Sequence, residues 1–368
     1  MQINIQLLRF LATLAVVLCH AAPHYIAAGG TGYERLFHYL PVAGNVGVDA
    51  FFVISGYILW ITTSRRAGPG DSGKFLYRRA TRIYLGYWPF LLLMVAMHAW
   101  YKVPEPADSD LWGSILLTQN ESRQLLLPVA WTLSYEVYFY LVFSILLLLP
   151  VDRRLQGVLV WLALFLLAMT LLWLVFNGHL KHGSKLIIKA CSFALSSYCL
   201  DFIGGCLLAR HLEKGGSINK IGCGILFITL MGIVAYCYAR NDMGANAVMN
   251  YPYRRAALYG IAAIVLVALM AGLEKDGRIF APQLSLLLGN ATYSTYLSHT
   301  ILLEWLYHTG LRNAVKDGQY PATLFIVFAL VFVMAYSLIH FRWIETPLMS
   351  LSRKLARRWE NKEGKCTE

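Results

Sequence analysis

Apolar runs of membrane-spanning length dominate this sequence. They fall near residues 5–22, 46–62, 83–100, 129–149, 157–176, 190–209, 219–239, 256–272, 284–308 and 322–341. Each is close to the roughly 20 apolar residues an α-helix needs to cross the hydrocarbon core of a bilayer. The expected fold class is therefore all-α: a polytopic membrane protein, a bundle of about ten transmembrane helices. Composition agrees, with 58% hydrophobic and 14% charged residues. A soluble domain carries about 45–50% and about 25%. A water-soluble globule and a disordered chain are both excluded, and 368 residues leave no room for a separate soluble domain. The shorter stretch Leu111–Leu127, broken by Thr118-Gln119-Asn120, is expected as an outer loop with an interfacial helix.

Cysteine and targeting signals add little. The seven Cys form no CxxC pair, and most lie in or beside apolar runs, as small buried side chains do. The N-terminus lacks a basic n-region and Arg9 interrupts its apolar stretch, which reads as an uncleaved first span. His20 and His24 have i, i+4 spacing but no evident third ligand, so no metal site is expected.

Lys and Arg set the orientation. With both termini cytoplasmic, 20 of the 32 basic residues fall in inner loops and the C-terminal tail and 11 in outer loops, with Arg9 inside the first span. The inner excess sits mostly in the 65–82 loop and the tail. A net charge of +12 is what positive-inside loops facing anionic membrane lipid produce, and it requires no nucleic-acid partner.

Charge within a span is costly and marks a candidate site. The topology sorts these residues into two levels. His20, Asp49 and Glu136 lie towards the outer side with His299 somewhat deeper. Arg9, the Arg78/Arg79/Arg82 group, and Arg342 with Glu345 lie towards the inner side. Arg9 and His20 are 11 residues apart, which puts them within about 20° of one helix face and about 16 Å apart along the axis. Plainer roles stay open for each. His20 can be wetted at the interface, Asp49 can cap its helix, and Glu136 can belong to a structural ion pair. The arginines can anchor topology, and His299 can be a satisfied core histidine.

Six ordered motifs then carry a resemblance. They are Leu8-Arg9-Phe10-Leu11-Ala12 with His20; Gly47-Val48-Asp49-Ala50-Phe51-Phe52-Val53-Ile54-Ser55-Gly56-Tyr57; and Phe75-Leu76-Tyr77-Arg78-Arg79-Ala80-Thr81-Arg82. Next come Trp131-Thr132-Leu133-Ser134-Tyr135-Glu136, Tyr293-Ser294-Thr295-Tyr296-Leu297-Ser298-His299 and Glu345-Thr346-Pro347. Together they resemble acyltransferase family 3, the membrane O-acyltransferases, and the opening is most similar to its exopolysaccharide-production branch. The resemblance runs over nearly the whole chain. It implies a transmembrane domain over 1–345 and a basic cytoplasmic tail over 346–368, in a bacterial inner membrane. It also implies transfer of an acyl group, most often acetyl from acetyl-CoA, to a hydroxyl of a cell-surface or lipid-linked polysaccharide. The family's first-span Arg and His map to Arg9 and His20, and its RxxR element to Arg79 and Arg82. The family often has Pro soon after that element; here the run is Ile83-Tyr84-Leu85-Gly86-Tyr87-Trp88-Pro89, which leaves the start of the third span open.

In this reading Arg78, Arg79 and Arg82 hold the CoA phosphates, because guanidinium forks are planar and permanently charged. The pantetheine arm passes Arg9. His20 takes the proton of the acceptor hydroxyl, oriented by Glu136 or Asp49, and Trp131, Tyr296 and His299 contact the acceptor. Direct transfer and a route through acyl-His20 both fit. Because His20 lies far from the arginines, the chemistry needs a re-entrant, water-filled cavity. The alternative class is a transporter or flippase of a glycan precursor, which would show inverted repeats and broken helices; Gly204-Gly205, Gly222 and Gly224 interrupt two middle spans, or only allow close helix packing. Self-association into a homo-oligomer stays open.

Overall fold

The computed structural model describes residues 2–27, 30–32, 34–105, 107–176, 192–239, 252–309, 313, 315, 317, 318 and 320–354. Every regular element among them is helical. Those longer than one or two turns are, in chain order, α1 (Ile3–Ala27), α2 (Glu34–Thr63), α3 (Pro69–Tyr101), then the short α4 (Leu111–Leu116), α5 (Trp131–Leu146) and α6 (Arg154–Phe176). Then follow α7 (Ser197–Glu213), α8 (Lys220–Ala239), α9 (Ala256–Lys275), α10 (Pro282–Asn290), α11 (Thr292–His308) and α12 (Ala322–Lys354). Eight helical stretches among the described residues are long and apolar enough to cross a membrane. The other two expected spans are occupied by α7 and α11, of 17 residues each. The expected span 284–308 is divided, with α10 ending at Asn290 before α11 begins.

Two boundaries move. α3 starts at Pro69 and runs through Pro89 to Tyr101, so the third span begins well before residue 83. α12 continues past 345, through a π-helical turn at Phe341–Glu345, as far as Lys354. The rest of the basic tail, and Lys181, Lys185 and Lys189, lie outside the described residues.

The chain divides into two compact units. The first comprises Met1–Cys19, Arg35–Pro69 and Ile145–Gly289. Its central contact is between α2 and α7. A Cβ on Gly56 would lie 2.0 Å from the Phe202 carbonyl oxygen, and one on Gly205 would lie 2.0 Å from that of Val53. Only glycine permits such backbone-to-backbone packing, which is the packing role open to Gly205 from sequence. Helix ends here are capped by distant side chains. Glu274 accepts from the Ile3 and Asn4 amides at 2.7 and 2.9 Å. Arg154, fully buried, donates to the carbonyls of Thr63 (2.7 Å) and Arg66 beyond the end of α2. Arg154 counts among the positive-inside residues, yet its charge is used inside the protein.

The second unit comprises His20–Glu34, Gly70–Ser144 and Asn290–Glu368. One of its cores gathers Ala21, Leu303, Leu306, Phe325 and Ala329. The segment after α3 departs from expectation. It does not stay beyond the end of α3 as an outer loop but folds back along it. Tyr87 Oη, Trp88 Nε1 and Tyr84 Oη donate to the consecutive carbonyls of Ser114, Ile115 and Leu116 at 2.9, 3.1 and 2.9 Å. Those donors precede the end of α3 by 13 to 17 residues, about 20–25 Å at 1.5 Å per residue. Non-helical backbone at such depth persists only where protein satisfies its polar groups. Here three aromatic donors on α3 take the otherwise orphaned carbonyls at the end of α4. Asp110 caps the start of α4 through the Gly113 amide at 2.8 Å, and Leu117 closes it in the left-handed region, φ 55°. The sequence signal read as an interfacial loop was polar Thr118-Gln119-Asn120. Gln119 is in fact buried, bonded to Asp110.

Candidate active site

The second unit brings most of the expected site residues to two levels. At one level, the His299 Nε2 lies 3.1 Å from the His20 Nδ1, with ring centroids 5.1 Å apart. His299 is fully buried and His20 is exposed. Among the described residues the His299 Nδ1 makes no hydrogen bond of good geometry; only the Thr295 and Tyr296 carbonyls are in reach. Tyr296 stands 5.7 Å from the His299 ring. Its hydroxyl donates to the Val129 carbonyl (3.3 Å) and accepts from the Thr132 hydroxyl (3.1 Å), which fixes the start of α5. Trp131 is half-buried with its edge against Tyr135.

At the other level, Arg82 lies in the field of Glu136, Tyr140, Tyr293 and Glu345, which come from three other segments, so Glu136, expected at the level of His20, stands instead with the arginines. Arg82 is nevertheless exposed, so it faces open space although protein surrounds it. Glu136 accepts from Tyr140, one turn along α5. The Arg79 guanidinium packs 5.4 Å from the Tyr140 ring and 5.7 Å from the Phe75 ring, and Arg78 is exposed. Tyr293 donates to the Ile83 carbonyl at 2.9 Å. The Ser294 hydroxyl donates to Glu345 at 2.6 Å, so its 2.9 Å contact with His340 is one in which the His340 Nδ1 donates.

The levels are close. Tyr293 meets the residue after Arg82, and His299 meets His20. Six residues of α11 separate them, about 9 Å along the axis. On α11 the two levels are therefore well short of a membrane thickness apart. Glu345 was nominated from sequence by its charge, with Arg342; Tyr140, Tyr293, Ser294 and His340 were not singled out as site residues. Tyr140, at i+4 from Glu136, was legible; His340 carried no signal.

Two candidates lie in the first unit. Arg9 is half-buried and donates to the Gln6 side chain at 3.1 Å. Asp49 is fully buried and paired with Arg255. Among the described residues no group of three His, Cys, Asp or Glu side chains is placed to hold a metal ion.

Comparison with known proteins identifies a family. The Acyltransferase domain model of family 3 matches residues 2–342. The exopolysaccharide production protein ExoZ of Rhizobium meliloti is 28% identical over 343 residues, which cover 87% of this chain and 94% of ExoZ. BcsY of Komagataeibacter xylinus, provisionally named a membrane-bound transacylase, is 30% identical over 40% of this chain and 38% of its own. A Staphylococcus aureus protein provisionally named an O-acetyltransferase is 21% identical over 92% of this chain and 56% of its own. No solved structure matches. The transporter alternative falls away: the chain belongs to acyltransferase family 3 and is a membrane O-acyltransferase.

Proposed function

We propose that this enzyme moves an acetyl group from cytoplasmic acetyl-CoA to a hydroxyl of a cell-surface or lipid-linked polysaccharide at the bacterial inner membrane, with His20 as the general base. The contact between His20 and His299 carries the proposal. When the acceptor hydroxyl attacks the thioester carbon, its proton passes to the His20 Nε2. The resulting imidazolium needs an acceptor for Nδ1–H, and the neutral Nε2 of His299 supplies one at 3.1 Å. His299 accepts there as the tautomer that carries its own proton on Nδ1. His20 then returns the proton to the departing CoA thiolate, so the products are an ester and a thiol with no net proton released. The orienting role expected of Glu136 or Asp49 passes to His299 in this scheme. Glu136 instead balances Arg82.

Arg78 and Arg79, with Arg82, form the donor site, since guanidinium groups suit phosphate. Arg82, already in the field of Glu136 and Glu345, has the least charge to spare. The two levels are roughly 9 Å apart along α11, which favours a donor held at one reaching the other. Trp131 and Tyr296 flank the acceptor. The polysaccharide acceptor is supported by the exopolysaccharide role in the name of ExoZ. The test is alkali-labile acetate on surface glycan isolated from a null host that expresses the wild type or His20→Ala. Acetate with the wild type and none with the variant is expected. Equal acetate from both, with both proteins in the membrane, would remove His20 from the chemistry.

A further inference from the structure

The first unit contains a charge cluster to which the proposed acyl-transfer scheme assigns no step. Asp49 on α2, Asp201 on α7 and Arg255 just before α9 are 0%, 1% and 4% exposed. Arg255 bonds Asp49 through Nη2 and the Asn45 side chain through Nη1 at 3.1 Å. Its guanidinium is flanked by the rings of Tyr198 and Tyr259, at 4.9 and 5.4 Å. Asp201 lies in the field of both Asp49 and Arg255. Among the described residues neither of its oxygens has a hydrogen-bond partner, and the second oxygen of Asp49 has none either.

Helix packing explains why two carboxylates meet. Gly205 lets the backbone of α7 touch the Val53 carbonyl on α2. One turn back on each helix, on the same face, stand Asp201 and Asp49. Gly260, at the end of the π-helical turn Ala256–Gly260 that opens α9, closes the other side. A Cβ there would lie 2.4 Å from the Asp201 Oδ1. π-Helical turns of this kind are frequent at functional sites.

Among the described residues, two ionised carboxylates and one guanidinium leave one negative charge with no counterion, and an uncompensated charge cannot be sustained in such surroundings. A proton removes that charge and supplies the missing donor between Asp201 and the open oxygen of Asp49. We infer that Asp49 and Asp201 share one proton, so that the Asp49–Asp201–Arg255 cluster is a buried proton-binding site tying α2, α7 and the start of α9 together. The other titratable groups facing it are Tyr198 and Cys199 on α7 and Tyr259 on α9, with Tyr238 of α8 behind Tyr259. Loss of the proton would set two carboxylates against each other at the closest point of α2 and α7 and loosen that contact.

Infrared spectroscopy of the purified full-length protein in detergent tests this directly. A protonated carboxyl C=O band that shifts down in D2O is expected in the wild type. It should be lost in Asp201→Asn, whose amide replaces the shared proton as donor to Asp49. If that variant does not fold, Asp201→Glu should move the band in frequency. Raising the pH should lower the thermal midpoint of the wild type through the loss of this proton, while Asp201→Asn stays flat over the same range. A wild type without the band, or a band unchanged in both Asp201 variants, overturns the inference. So does a thermal midpoint that rises with added sodium or potassium in place of the band, since the site would then hold a metal cation.

Discussion

Charge is kept in opposite ways in the two units. In the second, His20 and Arg82 are exposed although both lie on helices of spanning length. In the first, Asp49, Asp201 and Arg255 are almost wholly sealed. The residue types are similar and each set includes carboxylate and arginine. An intramembrane charge is expensive in either setting, but only the open one can exchange a proton or a phosphate with a substrate. Depth in a span thus nominates a residue, and exposure decides which nominees can take part in chemistry.

The largest expected effect that separates the two is on the sealed side. Arg255→Ala strands two buried carboxylates and should cost about 3–5 kcal/mol of stability, read as a lower denaturation midpoint and a poor yield of folded protein. The loss should track folding. A variant that denatures like the wild type while losing turnover would make the cluster part of the chemistry and break the comparison.

On the open side, His299→Ala should lower kcat about 10–100-fold, the worth of one hydrogen bond to a charged group at about 1.5–3 kcal/mol. The apparent affinity for acetyl-CoA should hold steady. His299→Gln keeps an acceptor near His20 and should recover part of the loss. A fall in acetyl-CoA affinity at constant kcat would instead put His299 in donor binding.

Much of this contrast could be read in the sequence, and its limits have physical causes. Apolar periodicity and length placed the helices because they are local properties. Arg9, His20, Glu136 and the arginine triplet stood out because charge in a span is rare. What could not be read depends on which helix faces which. The open and sealed environments of His20 and Asp49 look alike in sequence, since each is one polar residue among mostly apolar ones. The fold-back segment after α3 was missed because its polar residues, Gln119 among them, resemble those of a solvated loop. They are instead bonded internally, and the donors for its carbonyls come from Tyr84, Tyr87 and Trp88, which as sequence read only as part of an apolar run. Arg255 and Arg154 were counted as topology charges for the same reason.

The donor site gives a smaller effect. Arg79→Ala should raise the KM for acetyl-CoA about tenfold, or about 1.4 kcal/mol, and leave that for the acceptor nearly unchanged. Arg79→Lys should restore charge without the planar fork and recover only part of the affinity. Equal shifts in both KM values would sharpen the comparison differently, by showing Arg79 as a packing partner of Phe75 and Tyr140 and not a phosphate ligand.

A third setting for charge gives the smallest effect. Lys220 and Asp276 form an ion pair at 2.6 Å with both side chains partly exposed, 33% and 45%. Here water already solvates each charge, so the pair neither performs chemistry nor holds helices against a penalty. The hydrogen bond from Lys220, and the charge behind it, hold the Asp276 carboxyl below its ordinary range. A carboxyl lowered on folding stabilises the protein above its unfolded titration and loses that contribution as pH falls through its folded one. Asp276→Asn should therefore melt marginally below the wild type at neutral pH, and the two curves should converge as acid protonates the carboxyl. Added salt should shrink the neutral-pH gap. A gap as large as that of Arg255→Ala, or one insensitive to both acid and salt, would mean that exposure does not rank these charges.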